Sequence, residues 1–301
     1  MTPISQIETT DQGLFIRAPA KINLSLLIAG KRDDGFHNIE TIMAKVDYFD
    51  KLLISESITP GIHLTCQGPH WAPDGPENLV YKAAKLLCDY CSLNPSLEIA
   101  LVKNIPAGTG LGSGSSDAAA TLIGINHLLK LELPREILGN LAAQLGSDVS
   151  FFIYGPLSYC TGKGELIEEL HTFFDFTAIL ILPNISVSTP EVYKVYLHNH
   201  DIYTQLHQEI NGYIKENRIA FVAKMCANML SNGCFGLERG LAKAKTRIEG
   251  RGIGTVCLSG SGSAMYCIVD STADQHQLDS LQDVILQETG YCSVIIRNIR
   301  W

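Results

Sequence analysis

Apolar and polar positions alternate with period two through most of the first hundred residues, at 13–19, 22–29, 39–47, 51–56 and 62–66. That is the pattern of strands with one buried face. Glycine- or proline-rich stretches at 30–35 and 68–76 separate several of them. From 77 to 91 the apolar spacing lengthens to that of an amphipathic helix, and a strand follows at 97–102. Helices are expected at 116–129 and 135–145, the second opened by Pro134, whose missing N–H costs nothing in a first turn. Strands are expected at 157–160, 166–170 and 177–182.

Beyond Pro183 the pattern turns helical, at 189–198, 202–216, 219–230 and 237–249, with Ser188 or Thr189 as the first cap and Pro190 in the opening turn. Strands at 256–258 and 265–269, a helix at 274–289 and a strand at 293–299 complete the pattern. Mixed elements of this kind predict an α+β chain, and strand, helix, strand in the last part suggests a ferredoxin-like half. The change of character places a domain boundary near 170–185, dividing the chain into 1–175 and 176–301.

Between the strand at 97–102 and the next helix, residues 104–120 read Asn-Ile-Pro-Ala-Gly-Thr-Gly-Leu-Gly-Ser-Gly-Ser-Ser-Asp-Ala-Ala-Ala. Alternating Gly108, Gly110, Gly112 and Gly114 let the backbone turn and approach a ligand closely. Ser113, Ser115 and Ser116 bring hydroxyls to the helix start, where unpaired amides and the dipole favour phosphate. A flexible linker would not run straight into an apolar helix. A Walker A loop is excluded, because no lysine lies between Asn104 and Lys130. A dinucleotide fingerprint would need glycine at 113 or 115, and both are serine. Gly114-Ser115-Ser116-Asp117-Ala118 approaches the nucleophile elbow of serine hydrolases, which keeps a hydrolase using Ser116 as an alternative. That elbow needs a strand ending just before the turn, and residues 105–112 intervene. A module that binds nucleotide without catalysis would also fit the glycine loops taken alone.

The loop resembles motif 2 of the GHMP kinases, Pro-x-x-x-Gly-Leu-Gly-Ser-Ser-Ala. Ala18-Pro19-Ala20-Lys21-Ile22-Asn23-Leu24 resembles their motif 1, and Leu258-Ser259-Gly260-Ser261-Gly262-Ser263-Ala264 their motif 3. Within the family, Gly30-Lys31-Arg32-Asp33-Asp34-Gly35-Phe36-His37 and Leu145-Gly146-Ser147-Asp148-Val149-Ser150-Phe151-Phe152 are similar to segments of the members acting on 4-diphosphocytidyl-2-C-methyl-D-erythritol. Phe36 stands where those members have tyrosine, Ser147 and Ser150 where they have alanine and proline, and Thr109 and Ser113 where they have loop glycines.

The resemblance implies a two-domain GHMP kinase fold, with an N-terminal domain like ribosomal protein S5 domain 2 and a ferredoxin-like C-terminal domain. It implies transfer of the γ-phosphate of ATP to the 2-hydroxyl of the cytidine diphosphate-linked methylerythritol, in the non-mevalonate isoprenoid pathway. Another GHMP-type small-molecule kinase is the alternative. ATP phosphates would lie on Pro106, Ala107, Gly108, Thr109, Gly110, Leu111, Gly112, Ser113, Gly114, Ser115 and Ser116. Mg2+ is expected with ATP, with Ser116 as a direct or water-mediated ligand. Asp148 would be the general base and Lys21 its cationic partner, with Asn23 on the same strand face as Lys21. Asn23, Thr189, Gly260, Ser261 and Gly262 would contact substrate. Phe36 and Tyr193 would stack on the two faces of cytosine, and His37 would bond its edge.

Composition narrows the partners. A net charge of −8 argues against a nucleic-acid surface, so an anionic substrate must be held by local donors. No stretch approaches the ~20 apolar residues of a membrane span, and no secretory leader is visible. Nine cysteines scattered through apolar segments suggest reduced thiols and a cytoplasmic enzyme. A monomer or homodimer is expected. Cys88 and Cys91 form an isolated pair at the end of a helix, read as packing. His198, His200 and His207 lack an acidic ligand pattern and are read as solvated.

Overall fold

The computed structural model describes residues 5–172, 174–270 and 272–301. Two long strands, β2 (Gly13–Lys31) and β3 (His37–Glu56), pair antiparallel, where the alternation predicts two shorter strands in each place. Pro19 and its neighbours interrupt the pattern because proline has no N–H for the ladder. The pairing absorbs this as a bulge: Pro19 opposes Phe49, Ala20 opposes Val46, and the register skips Asp47 and Tyr48. β1 (Ile7–Thr10) adds a short edge strand to β2; mostly exposed and polar, it has no hydrophobic pattern to announce it.

The sheet continues from β3 to β5 (Ser96–Val102) and then to β4 (Gly61–Gln67), which runs parallel to β5 and connects to it through α1 (Leu79–Tyr90). The other half of β3 pairs with β6 (Leu157–Thr161), which carries β7 (Leu166–Glu169). Besides α1, this part holds α2 (Ser113–Leu128), α3 (Arg135–Leu145) and the short α4 (Val149–Ile153), which has no strong periodic signal in the sequence. α2 lies close on the sheet because its inner face is small. Ala118 and Ala119 are fully buried, and a Cβ on Gly124 would meet Ile16 Cδ1 at 2.1 Å.

The second sheet is formed by β8 (Thr177–Leu182), β9 (Cys257–Leu258), β10 (Met265–Val269) and β11 (Cys292–Arg297). Its order, β11-β8-β10-β9, all antiparallel, is ferredoxin-like. Its helices are α5 (Thr189–Val195), α6 (His200–Lys215), α7 (Ile219–Met225), α8 (Ser231–Leu237), α9 (Arg239–Gly250) and α10 (Gln275–Thr289). The helix expected at 219–230 ends early. Leu26 N–H donates to Ala227 O and Met229 N–H to Leu26 O, so these residues lie along β2 instead of continuing α7.

Those contacts explain why β2 alternates only at its start. Residues 18–28 are buried on both faces, one against the first core and one against the second sheet and its helices. Tyr266 OH crosses between the two sheets to donate to Asn23 O. The cysteines also depart from expectation: Cys226 and Cys257 are joined in a disulfide, with Cα atoms 5.1 Å apart. Residues 31 positions apart meet only because the chain after α7 folds back towards β9.

Candidate active site

The glycine-rich loop begins where β5 ends and finishes at Gly112, whose φ of 72° makes it a left-handed N-cap for α2 with no side chain to cap the helix. The first amides of α2 are thus left for a ligand, as a phosphate seat requires. At two of its glycines the loop tolerates no side chain. A Cβ on Gly110 would approach Ser259 O at 2.1 Å, and one on Gly112 would approach the Phe152 ring at 2.9 Å. The second glycine turn is locked to the first: Ser259 Oγ donates to Gly110 O at 2.9 Å and Ala264 N–H to Thr109 O at 3.0 Å.

The loop's own side chains mostly face inward. Thr109, Leu111, Ser113 and Ser116 are buried, whereas Ala107 and Gly108 are exposed. Ser113 Oγ joins a cluster in which Lys103 Nζ donates to Asp50, Asp117 and Ser113. Asp50 Oδ1 also accepts the backbone N–H groups of Asn104 and Ile105, at 2.6 and 2.8 Å. β3, β5 and α2 are therefore tied together beneath the loop, and what the loop presents outward is chiefly backbone. Ser116 Oγ is buried without a hydrogen-bond partner among the described residues. No histidine activates it, as a hydrolase would require.

Two carboxylates around one ammonium leave an excess negative charge. Burial and the neighbouring Asp50 push the Asp117 carboxyl up to about 8. Its folded-state value thus lies above the unfolded value of about 3.9, so the folded protein holds a proton there that the unfolded chain releases. The resulting stabilisation is full below pH 4 and is lost as pH rises through 8. Asp117→Asn removes this dependence. The wild-type stability advantage over the variant, measured by urea unfolding, is expected to shrink steadily from pH 5 to pH 8. A difference that stays constant would refute the assignment.

Beside the loop lies a cavity of about 590 Å³ between the two sheets' domains. Lys21, Asn23, Phe36, His37, Asp148, Thr189, Tyr193, Gly260 and Ser261, scattered through the sequence, all line it. Of the phosphate loop, Gly110 reaches its wall. Gly262 does not; a Cβ there would meet Cys234 Sγ at 2.7 Å, so that glycine packs against α8.

Lys21 is 3% exposed, and its Nζ donates to Asn23 Oδ1 at 2.6 Å and lies 3.4 Å from Asp148 Oδ2. The strand period puts Lys21 and Asn23 on one face, and Asn23 Nδ2 is fixed by Thr41 Oγ1 at 2.8 Å. Lys21 N–H donates to Leu111 O, joining this strand to the phosphate loop. On the opposite wall, Thr189 Oγ1 and Ser261 Oγ are 2.7 Å apart, linking α5 to the second glycine turn.

The aromatic residues are arranged differently from the expected slot. His37 lays its ring on Tyr193, with centroids 4.9 Å apart and planes at 30°. The rings touch, so no base fits between them. His37 begins β3 and its direction is set by the ladder to Lys31, whereas Phe36 sits in the preceding turn, 57% exposed, with Lys163 Nζ 5.0 Å from its ring centre. Burial, Lys31 and His198 lower the His37 pKa, favouring the neutral ring. Burial first, then Asp148, pushes the Tyr193 phenol up to about 12.

Sequence reasoning missed three further lysines in the wall, Lys31, Lys163 and Lys194. Two of them adjoin residues already singled out, Lys194 next to Tyr193 and Lys31 in the segment leading to His37. Convergence on one cavity is what gives an acidic chain a cationic site. His207, read as solvated, instead bonds Glu40 Oε2 at 2.7 Å, and Tyr203 OH bonds Glu40 Oε1 at 2.7 Å, pinning α6 to β3 beside the cavity.

The GHMP kinases N terminal domain model matches residues 78–156. The chain is 37% identical over 268 residues to a Bacillus cytotoxicus protein named 4-diphosphocytidyl-2-C-methyl-D-erythritol kinase, covering 88% of this chain and 91% of that one. A Bacillus cereus protein of the same name is 36% identical over 265 residues, with the same coverage. Among solved structures, a 4-(cytidine 5'-diphospho)-2C-methyl-D-erythritol kinase superposes with a TM-score of 0.73 at 27% identity, covering 94% of this chain and 98% of that one. A homoserine kinase from Cytophaga hutchinsonii shares the fold, with a TM-score of 0.75 at 18% identity over 97% of this chain and 96% of that one. The chain belongs to the GHMP kinases and, within them, to the 4-diphosphocytidyl-2-C-methyl-D-erythritol kinase family.

Proposed function

We infer that this enzyme transfers the γ-phosphoryl group of ATP to the 2-hydroxyl of 4-diphosphocytidyl-2-C-methyl-D-erythritol, in the non-mevalonate route to isoprenoid precursors. The observation that carries the site reading is the Lys21–Asp148 pair, 3.4 Å apart in a cavity whose wall includes both glycine turns. Asp148 accepts the proton of the 2-hydroxyl as its oxygen bonds to the γ-phosphorus. The bond from that phosphorus to the β–γ bridging oxygen breaks, and ADP leaves. Lys21 orients the carboxylate and stabilises negative charge on the entering oxygen. Thr189, Ser261, Gly260 and Asn23 position the alcohol. Lys31, Lys163 and Lys194 meet its diphosphate, which the chain's net charge of −8 would otherwise repel.

The loop 106–116 receives the nucleotide phosphates on its backbone amides and on the open start of α2. Magnesium, when bound with the nucleotide, neutralises charge on the phosphate oxygens. Among the described residues no three His, Cys, Asp or Glu side chains converge on a metal position, so the protein's share of its coordination is small. Ser116, whose buried hydroxyl lacks a partner, fits that share as a direct or water-bridged ligand.

The test is to incubate the enzyme with magnesium-ATP and the cytidine diphosphate-linked alcohol and to locate the new phosphate by ³¹P and ¹³C NMR. Phosphate on the tertiary carbon's oxygen is expected. Phosphate on another oxygen, or none transferred, would overturn this reading.

A further inference from the structure

Lys45 stands directly across the β2–β3 ladder from Lys21, and cross-strand partners project to the same face. It is 2% exposed, and no substrate or nucleotide role falls to it. Its Nζ donates to the carbonyl oxygens of Phe152 at 3.1 Å and Tyr154 at 2.7 Å. These lie at the C-terminal end of α4, whose five residues are all buried and whose N-cap is Asp148. Two neighbouring lysines thus address the two ends of one short helix.

A buried ammonium is costly, and burial together with Arg135 pushes Lys45 down to about 7. A methionine would fill the same space without that cost. The amine is matched by the end of the helix, where carbonyls lack intrahelical donors and a cation suits the dipole. Arg135 Nε takes the remaining carbonyl nearby, that of Ile153, at 3.1 Å. At the other end, Asp148 has no side-chain cap bond, and its ion pair with Lys21 is longer than a good hydrogen bond. The placement of the carboxylate therefore depends on the helix that carries it.

We propose that Lys45 is a positioning residue for phosphoryl transfer, anchoring the C-terminal carbonyls of α4 so that Asp148 at its other end is held against Lys21. The proposal rests on the reading of Asp148 as the base.

The experiment is a double-variant cycle in the intact enzyme with saturating magnesium-ATP. Lys45→Met is expected to lower kcat by roughly 10- to 100-fold, the scale of a misplacement of about 1 Å, while KM for both substrates stays within about twofold. In the Asp148→Asn background the same change should alter kcat by less than about twofold, because no base remains to misplace. Lys45→Gln, which keeps a shorter donor, should lose less than Lys45→Met, and that loss should vanish in the same background. If Lys45→Met does not fold, the Lys45→Gln cycle decides alone. An unchanged kcat, or an equal loss with and without Asp148, would overturn the proposal. Failure of the base assignment would show separately, as Asp148→Asn turning over at the wild-type rate.

Discussion

Asp148→Asn is expected to bind ATP as the wild type does and to lose roughly 100- to 10,000-fold in kcat, the contribution of a positioned general base. Asparagine preserves the size of the side chain and the N-cap position of α4, so the helix, buried along its whole length, should keep its place. What disappears is the proton acceptor and the charge facing Lys21 at 3.4 Å. The proposed nucleotide seat lies on different elements, the loop 106–116 and α2, and among the described residues no hydrogen bond joins it to the Asp148 side chain. Nucleotide titration followed by fluorescence and steady-state turnover separate the two effects. A folded variant with unchanged kcat would exclude the base role and leave Asp148 as an electrostatic or structural group.

Tyr193→Ala is expected to raise KM for the cytidine substrate roughly 5- to 150-fold, since stacking of a base on an aromatic ring contributes about 1–3 kcal/mol. Tyr193 lines the cavity that holds Lys21 and Asp148, on the wall formed by α5. Its face is covered by His37 at 4.9 Å, so a cytosine must take the place of that ring or enter beside it. Phe36, exposed in the wall of the same cavity, offers a second aromatic face and can complete the slot. KM for ATP should hardly move, because Gly110 is the one residue of the loop 106–116 that reaches the wall Tyr193 lines. Equal weakening of both substrates in a folded variant would mean that Tyr193 supports the architecture without reading the base. Burial and Asp148 push its phenol up to about 12, so the ring that stacks is the neutral phenol.

Local chemistry explains which features were legible from the chain. The glycine loop is readable because positive φ and close approach restrict Gly110 and Gly112 to glycine, and the structure shows neighbours at 2.1 and 2.9 Å that enforce this. Lys21 and Asn23 share a face by strand period alone. The ferredoxin-like half follows from element order, and its strand order agrees. Family motifs add the pairing of Lys21 with Asp148, which no spacing rule supplies.

Other features depend on groups brought together from far along the chain. The serine at 113 reads as a phosphate ligand until Asp50 and Lys103 are seen to claim its hydroxyl. The helix expected at 219–230 stops at Met225 because Leu26 offers its backbone N–H and C=O to the following residues. The cationic cavity gathers Lys31, Lys163 and Lys194 from three separate segments. Lys45 interrupts the apolar run 42–46, and only the packed structure shows that it addresses the carbonyls of α4. Backbone conformation and facial pattern are decided within a few residues, so the sequence determined most of the elements, the glycine loop and the chemical type of the site. Hydrogen-bond partners, desolvation and the direction of each charged side chain depend on residues tens to hundreds of positions away, and those only the tertiary structure decided.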